Sequence, residues 1–169
     1  SGKDLEDYVS QWLTQTAFPG TEAFESLQRS EFINRYLSIA ALKSLPLQDK
    51  RALLDAALGF PVNDYIGQEV VHQLALENPH EVLELYQKAF DSNNLMLRQA
   101  IALSLSQVPQ ELKQDYESLL LDDSYLTQEA ALYNLWMSFP ENRKKYLDQL
   151  KGTEGFGDKN IRTLWLALS

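Results

Sequence analysis

Cysteine is absent from the 169 residues, which removes disulfides, thiolate metal sites and thiol nucleophiles together. The same absence fits any compartment and says nothing about location. Histidine is scarce: His72 and His80 are the whole supply. Zinc-peptidase chemistry on a helix needs two histidines four apart with a glutamate beside the first, and these two are eight apart. Glu69 and His72 make an E-x-x-H unit of the kind di-iron bundles use, but such sites need a second copy and further glutamates on facing helices. Both histidines therefore read as surface or capping residues, and no metal site or bound cofactor is expected. Long apolar runs are missing too. Leu119-Leu120-Leu121 is broken at once by Asp122 and Asp123, far short of the roughly eighteen residues a membrane span requires. No signal-peptide pattern opens the chain. With so little histidine and no strand-turn-helix elbow, a serine nucleophile has no positioned base.

Positive charge is also in short supply. The formal net charge is −9, and residues 1–84 hold 13 acidic against 6 basic side chains. A surface of that sign repels phosphate backbones, so nucleic acid is not an expected partner. Arg143-Lys144-Lys145 reads as the solvated face of a helix end. The loop Gly152-Thr153-Glu154-Gly155-Phe156-Gly157-Asp158 follows no strand, fits neither phosphate-binding glycine motif, and carries two acids that would repel phosphate. A helix C-cap, a turn and an N-cap explain it, with Phe156 tucked inward. Asp122 and Asp123 sit where a cap belongs, not an acid–base pair.

What is present is a soluble-protein composition, 44% hydrophobic and 23% charged, with a rhythm of prolines. Pro46, Pro79, Pro109 and Pro140 are spaced 33, 30 and 31 residues apart. Each opens an amphipathic segment, where proline at the first helical position loses no hydrogen bond. Asn78-Pro79-His80-Glu81 adds an N-cap and a glutamate three residues on, close to a capping box. Val82, Leu85, Tyr86, Ala89 and Phe90 then form one buried helical stripe. Leu53, Leu54, Ala57 and Leu58 form another, as do Leu112, Tyr116, Leu119 and Leu120, and then Tyr146, Leu147 and Leu150.

Polar breaks at Asn63-Asp64, Asn93-Asn94, Asp122-Asp123-Ser124 and Gly157-Asp158 cap a second, more apolar set of helices. These are predicted over 65–76, 95–108, 125–139 and from Asn160 onward. A shift of 30 residues aligns Tyr65, Leu95 and Tyr125, then Gln68, Arg98 and Gln128, Val70, Ala100 and Ala130, and Val71, Ile101 and Ala131. A two-helix unit repeated at that period predicts an all-α fold, an α-α superhelix of about five helix pairs like HEAT or armadillo solenoids. An irregular helical bundle is the rival arrangement. The chain reads as one domain over 1–169, with entry helices in 1–30, helix pairs in 31–169, and Arg35 to Leu45 as an early, less regular member. The opening Ser1-Gly2-Lys3 reads as a tag scar, and the abrupt last helix, with Ile161, Leu164, Trp165 and Leu168 on one stripe, as the cut end of a fragment.

The helix over 125–139 looks apolar nearly all round, so Tyr133 and Trp136 are expected in the core, with Trp136 among the costliest residues to truncate. The other reading places them on a solenoid's concave face, where an aromatic beside a basic residue can hold a peptide.

The stretch Thr127-Gln128-Glu129-Ala130-Ala131-Leu132, Trp136, Phe139-Pro140, Tyr146-Leu147, then Gly155-Phe156-Gly157-Asp158-Lys159-Asn160-Ile161-Arg162 and Leu164-Trp165, resembles the helical C-terminal domain of bacterial aminopeptidase N-like (gluzincin) zinc metallopeptidases. Leu5-Glu6-Asp7-Tyr8, Gln11-Trp12-Leu13 and Phe18-Pro19 are similar to the segment that closes the catalytic domain in that family. H-E-x-x-H and G-x-M-E-N are absent, so no catalytic residue carries over. The resemblance implies a non-catalytic HEAT-like domain that packs over its own upstream catalytic domain, which would hold the zinc, and shapes the chamber around the peptide substrate's C-terminal side. A bacterial cytoplasm or cell envelope fits equally. It also implies a basic residue facing that end of the peptide, for which Arg98 and Arg162 are the candidates, while Tyr133 and Trp136 are candidates for the interface. The alternative is a stand-alone helical-repeat scaffold for a protein partner.

Overall fold

Proline decides where each helix pair begins, and it does so through a tighter turn than expected. A computed structural model describes residues 39–59, 64–152 and 159–169. Pro79 and Pro140 open the 3-10 turns Pro79–Glu81 and Pro140–Asn142, and Pro109 caps a third, Gln110–Leu112. Each turn leads into a short α-helix: α3 (Leu83–Asp91), α5 (Lys113–Glu117) and α7 (Arg143–Gln149). Their first residues fall thirty apart, as the repeat requires. Pro46 instead caps α1 (Leu47–Leu58) directly. The alternating second helices are α2 (Asp64–Leu74), α4 (Leu95–Ser104), α6 (Tyr125–Ser138) and α8 (Lys159–Leu168). No strand occurs among the described residues, and the chain is all-α.

The predicted caps do their work. Asn94 accepts from the Met96 and Leu97 amides, and Ser124 from the Thr127 amide, satisfying donors a helix start leaves open. Asn78 accepts from the His80 amide. Asn93 takes the left-handed φ of 53°, a conformation asparagine tolerates better than most residues. Two predicted lengths are corrected. The helix expected over 95–108 stops at Ser104, because Pro109 disfavours helical backbone at Val108 and the Val108 amide is taken by Ser138 Oγ of the next pair. The stripe from Leu112 to Leu120 is not one α-helix but 3-10, α5, and a further 3-10 turn Ser118–Leu121. Its four apolar residues are nonetheless fully buried. The expected entry helices in 1–30, the Asn63 cap and the loop 153–158 with Phe156 lie outside the described residues, as do residues 35–38 of the early member; its remainder is helical at 39–41 with a 3-10 turn Leu42–Ser44.

The thirty-residue alignment reappears as burial. Tyr65, Leu95 and Tyr125 face solvent, while Val70 and Ala100, and Val71, Ile101 and Ala131, are buried. Each second helix packs on the next, α2 on α4, α4 on α6 and α6 on α8. The α2–α4 approach is close because Gly67 has no side chain: a Cβ there would stand 2.3 Å from Leu97 Cδ1. Leu97 is the residue thirty positions on, so the repeat packs one register position against its own successor. One buried polar lock fastens the middle. Tyr116 Oη donates to the Ala102 carbonyl at 2.8 Å, and Asn134 Nδ2 donates to that carbonyl at 3.0 Å and to Tyr116 Oη at 2.8 Å. Three helices thus share a fully satisfied network inside the core.

Trp136 corrects the core reading. It is partly buried and stands outside the apolar cluster, with the Arg143 guanidinium 3.6 Å above its ring and Arg143 Nε donating to its carbonyl. Tyr133 and Met137 on the same helix are about half exposed. The buried residues of α6 are Ala131, Leu132, Asn134 and Leu135, preceded by Thr127 and Gln128. Leu135→Ala should therefore cost about 2–5 kcal/mol, and Trp136→Ala clearly less, in paired denaturant titrations. A larger loss for Trp136 would return its ring to the core.

Three tyrosines thirty apart, Tyr86, Tyr116 and Tyr146, are fully buried. Burial pushes the Tyr86 phenol up to about 12 and raises those of Tyr116 and Tyr146 further, against the Asn134 hydrogen bond in the first case and with help from the Glu117 carboxylate in the second. A phenol with a raised folded value stabilises the fold fully below about pH 10, its ordinary value, and loses that contribution as pH climbs through the folded value. Stability should fall between roughly pH 10 and 12, and Tyr86→Phe should flatten that decline in pH-resolved thermal melts.

Candidate apolar face of the second helices

Charge is divided between the two sets of helices. Within α4 the sole charged residue is Arg98, and within α6 it is Glu129. In contrast α3 has Glu84, Lys88 and Asp91, α5 has Lys113, Asp115 and Glu117, and α7 has Arg143, Lys144, Lys145 and Asp148. With α4 and α6 nearly free of charge, the second helices present apolar side chains outward. Tyr65, Leu95, Leu103, Leu126, Tyr133, Met137 and Leu166 are each between 40% and 59% exposed. Isolated exposed leucines are ordinary, but a run of them along packed neighbouring helices is the feature that marks a contact surface.

Between α4, α6 and α8 this face dips into a groove of about 330 Å³, with Leu103, Leu126, Ala130, Tyr133 and Leu164 on its walls and Glu129 as its one acid. Of the four residues singled out from sequence, Tyr133 is the one that lines this groove. It is aromatic, half exposed and held on a rigid helix, which suits it to anchor an incoming apolar group.

The other three stand elsewhere. Arg98 points to the far end of the pair, where its Nε meets Asp122 Oδ2 at 2.5 Å and its Nη1 meets Asn93 Oδ1 at 3.5 Å. The Asp122 side chain is 2% exposed and also accepts from the Ser124 amide. Arg98 thus neutralises a buried carboxylate that shapes the turn into α6; a neighbouring cavity of about 390 Å³ opens there onto Asp91 and Asp123. Trp136 is covered by Arg143 as described. Arg162 is partly buried, with its guanidinium 4.9 Å from the Trp165 ring, and Trp165 Nε1 donates to the Leu147 carbonyl; Asp158, its expected acid partner, lies outside the described residues. The structure does not bring these four residues together.

Sequence reasoning missed Leu103, Leu126, Met137 and Leu166 because it assigned the apolar surplus of the second helices to burial. The available signal was the near absence of charge on α4 and α6, which leaves no polar face to turn toward water. His72 and His80 are exposed, as expected, each beside an acid: Glu69 at 4.0 Å and Glu111 at 3.5 Å. A cavity of about 530 Å³ lies where the connectors around Pro79, Pro109 and Ser138 meet, with Val108 and Met137 beside Asn78 and Gln107 on its walls; among the described residues His80 is its one titratable group. Among the described residues no group of three or more His, Cys, Asp or Glu is placed to hold a metal ion, and no helix is long and apolar enough to cross a membrane.

Arg98→Ala should strand the buried Asp122 carboxylate and cost about 1.5–3 kcal/mol, read as a lower denaturant midpoint. The Arg98→Ala/Asp122→Asn double change should recover part of that loss, whereas a residue free to reach a ligand would show no coupling.

Compared with known proteins, the chain stands apart: no protein-family model, no curated protein and no solved structure matches it.

Proposed function

We propose that this chain is a non-catalytic helical domain of a zinc-dependent aminopeptidase, an α-superhelix that packs over the catalytic domain and shapes the chamber holding the peptide substrate. The observation that carries the reading is the outward apolar face of the second helices, with its groove around Leu103 and Tyr133. Such a surface is stable in water when a partner covers it, and a catalytic domain in the same polypeptide is a partner always at hand. The resemblance of Thr127–Leu132, Trp136 and Gly155–Arg162 to the C-terminal domain of aminopeptidase N-like enzymes points to the same partner. Zinc and the reacting groups belong to that catalytic domain; this chain contributes shape and apolar contact. The peptide's C-terminal side would meet the groove through Tyr133. Arg98, engaged by Asp122, is the weaker of the two basic candidates, and Arg162 the stronger.

Two results test the reading. The polypeptide to which this chain belongs should carry a zinc-binding H-E-x-x-H helix. The chain should also bind the separately expressed catalytic domain in a sedimentation experiment, and Leu103→Asp with Tyr133→Asp should abolish binding while leaving the helical circular dichroism intact. A parent without the zinc helix overturns the proposal in favour of a stand-alone scaffold for another protein. Binding that survives both changes moves the contact to a different face.

A further inference from the structure

The first helices are joined to one another differently from the second. Helices α2, α4, α6 and α8 pack through apolar side chains. Along the first helices ion pairs also link successive pairs, and they follow a pattern. On α1, Arg51 and Asp55 lie four residues apart; Arg51 pairs with Glu84 of α3, and Asp55 with Lys88 of α3 at 3.1 Å. Further on, Lys113 and Glu117 of α5 repeat the arrangement. Lys113 meets Glu141 at 3.5 Å and Asn142 beside it, and Glu117 meets Lys145 of α7 at 2.9 Å. In both cases a plus–minus pair at i, i+4 faces a minus–plus pair at the same spacing. Each helix face is matched internally as well as across the gap.

The joint between α3 and α5 breaks the pattern. Glu84 and Lys88 are committed to α1, and thirty residues on from them stand Gln114 and Ser118, which have no charge to offer. Among the described residues the one ion pair across this joint is His80 with Glu111, present only when the imidazole is protonated. At the other end of the same helices two acids approach: burial first, and the Asp91 charge second, hold the Asp115 carboxyl above its usual range.

We infer that the two charge quartets clamp α1 to α3 and α5 to α7 as two halves, and that the unclamped α3–α5 joint is a built-in hinge. The second helices act as the continuous spine, with the Tyr116–Ala102–Asn134 hydrogen bonds at the pivot, so the first-helix side opens and closes at one place. Flexing there tilts the α6–α8 part of the apolar face relative to the α2–α4 part. Such a device lets a surface of fixed composition adjust its curvature to what it covers. The inference stands on the charge pattern alone and survives whether or not the partner is a peptidase domain.

The absence of native cysteine makes the test direct. Spin labels at Gln87→Cys with Gln114→Cys span the hinge, and at Gln48→Cys with Gln87→Cys span a clamp; all three sites are exposed. At low salt the distance distribution across the hinge should be wider than across the clamp. Raising salt to about 1 M, where the screening length shrinks to roughly 3 Å, should widen the clamp distribution and leave the hinge nearly unchanged. Lys88→Glu should widen the clamp at low salt, and Lys88→Glu with Asp55→Lys should narrow it again. Equal widths across both joints at low salt would overturn the inference. So would a clamp that responds neither to salt nor to Lys88→Glu.

Discussion

Everything in this structure depends on second helices packing against second helices. A helix of ten or so residues is marginal in water by itself, and after α1 the first helices are shorter still, down to the five residues of α5. They persist because each is laid against a row that is already buried on its inner side, with Tyr86, Tyr116 and Tyr146 driven into that row at thirty-residue intervals. The row in turn depends on close approach, which Gly67 permits by leaving room for Leu97. Backbone satisfaction follows the same economy: turns opened by proline need fewer donors met, Asn78 meets one at the Pro79 turn, and Asn94 and Ser124 do so at the starts of α4 and α6.

This division of labour separates the two faces chemically. The first helices hold most of the paired charge and are wet and electrostatic; α4 and α6 are sparing of charge and leave apolar side chains outward as well as inward. An isolated surface ion pair contributes little, so the quartets matter less for total stability than for fixing which first helices travel together. The apolar outward face has the opposite character. It is dry where the quartets are ionic, and it is the natural place for a large contact that excludes water.

Much of the fold is legible in the sequence, for physical reasons that can be named. Proline spacing, short polar caps and apolar stripes are local signals, and those that fall on the described residues correspond to an observed turn, cap or buried face. Helix lengths are less legible where tertiary contacts intervene: nothing local foretells that Ser138 takes the Val108 amide and helps end α4 four residues early. The candidate site is legible in part. Tyr133 stands on the groove, but Arg98 is engaged by Asp122, a residue 24 positions away, and no periodicity reveals that pairing. Trp136 misleads because size and neighbours suggest burial, while Arg143 arriving from the next helix supplies the cover. Asn134 was readable in principle, since an amide in the middle of an apolar helix asks for a partner, and Tyr116 and the Ala102 carbonyl provide one.

That amide has a consequence for how the units are ordered along the chain. Tyr86, Tyr116 and Tyr146 occupy equivalent positions, yet the residues equivalent to Asn134 for the first and the last are Ser104 and Leu164. Ser104 turns its hydroxyl to its own helix, onto the Ala100 carbonyl, and Leu164 has no polar atom in its side chain to give. Among the described residues, Tyr86 Oη has no hydrogen-bond partner. The three units therefore share a backbone plan but not a key: the Tyr116–Asn134 match exists at one junction alone. Excising, duplicating or transposing a unit would preserve every helix and still put a tyrosine hydroxyl against the wrong neighbour. The units, alike in backbone, are therefore not interchangeable parts.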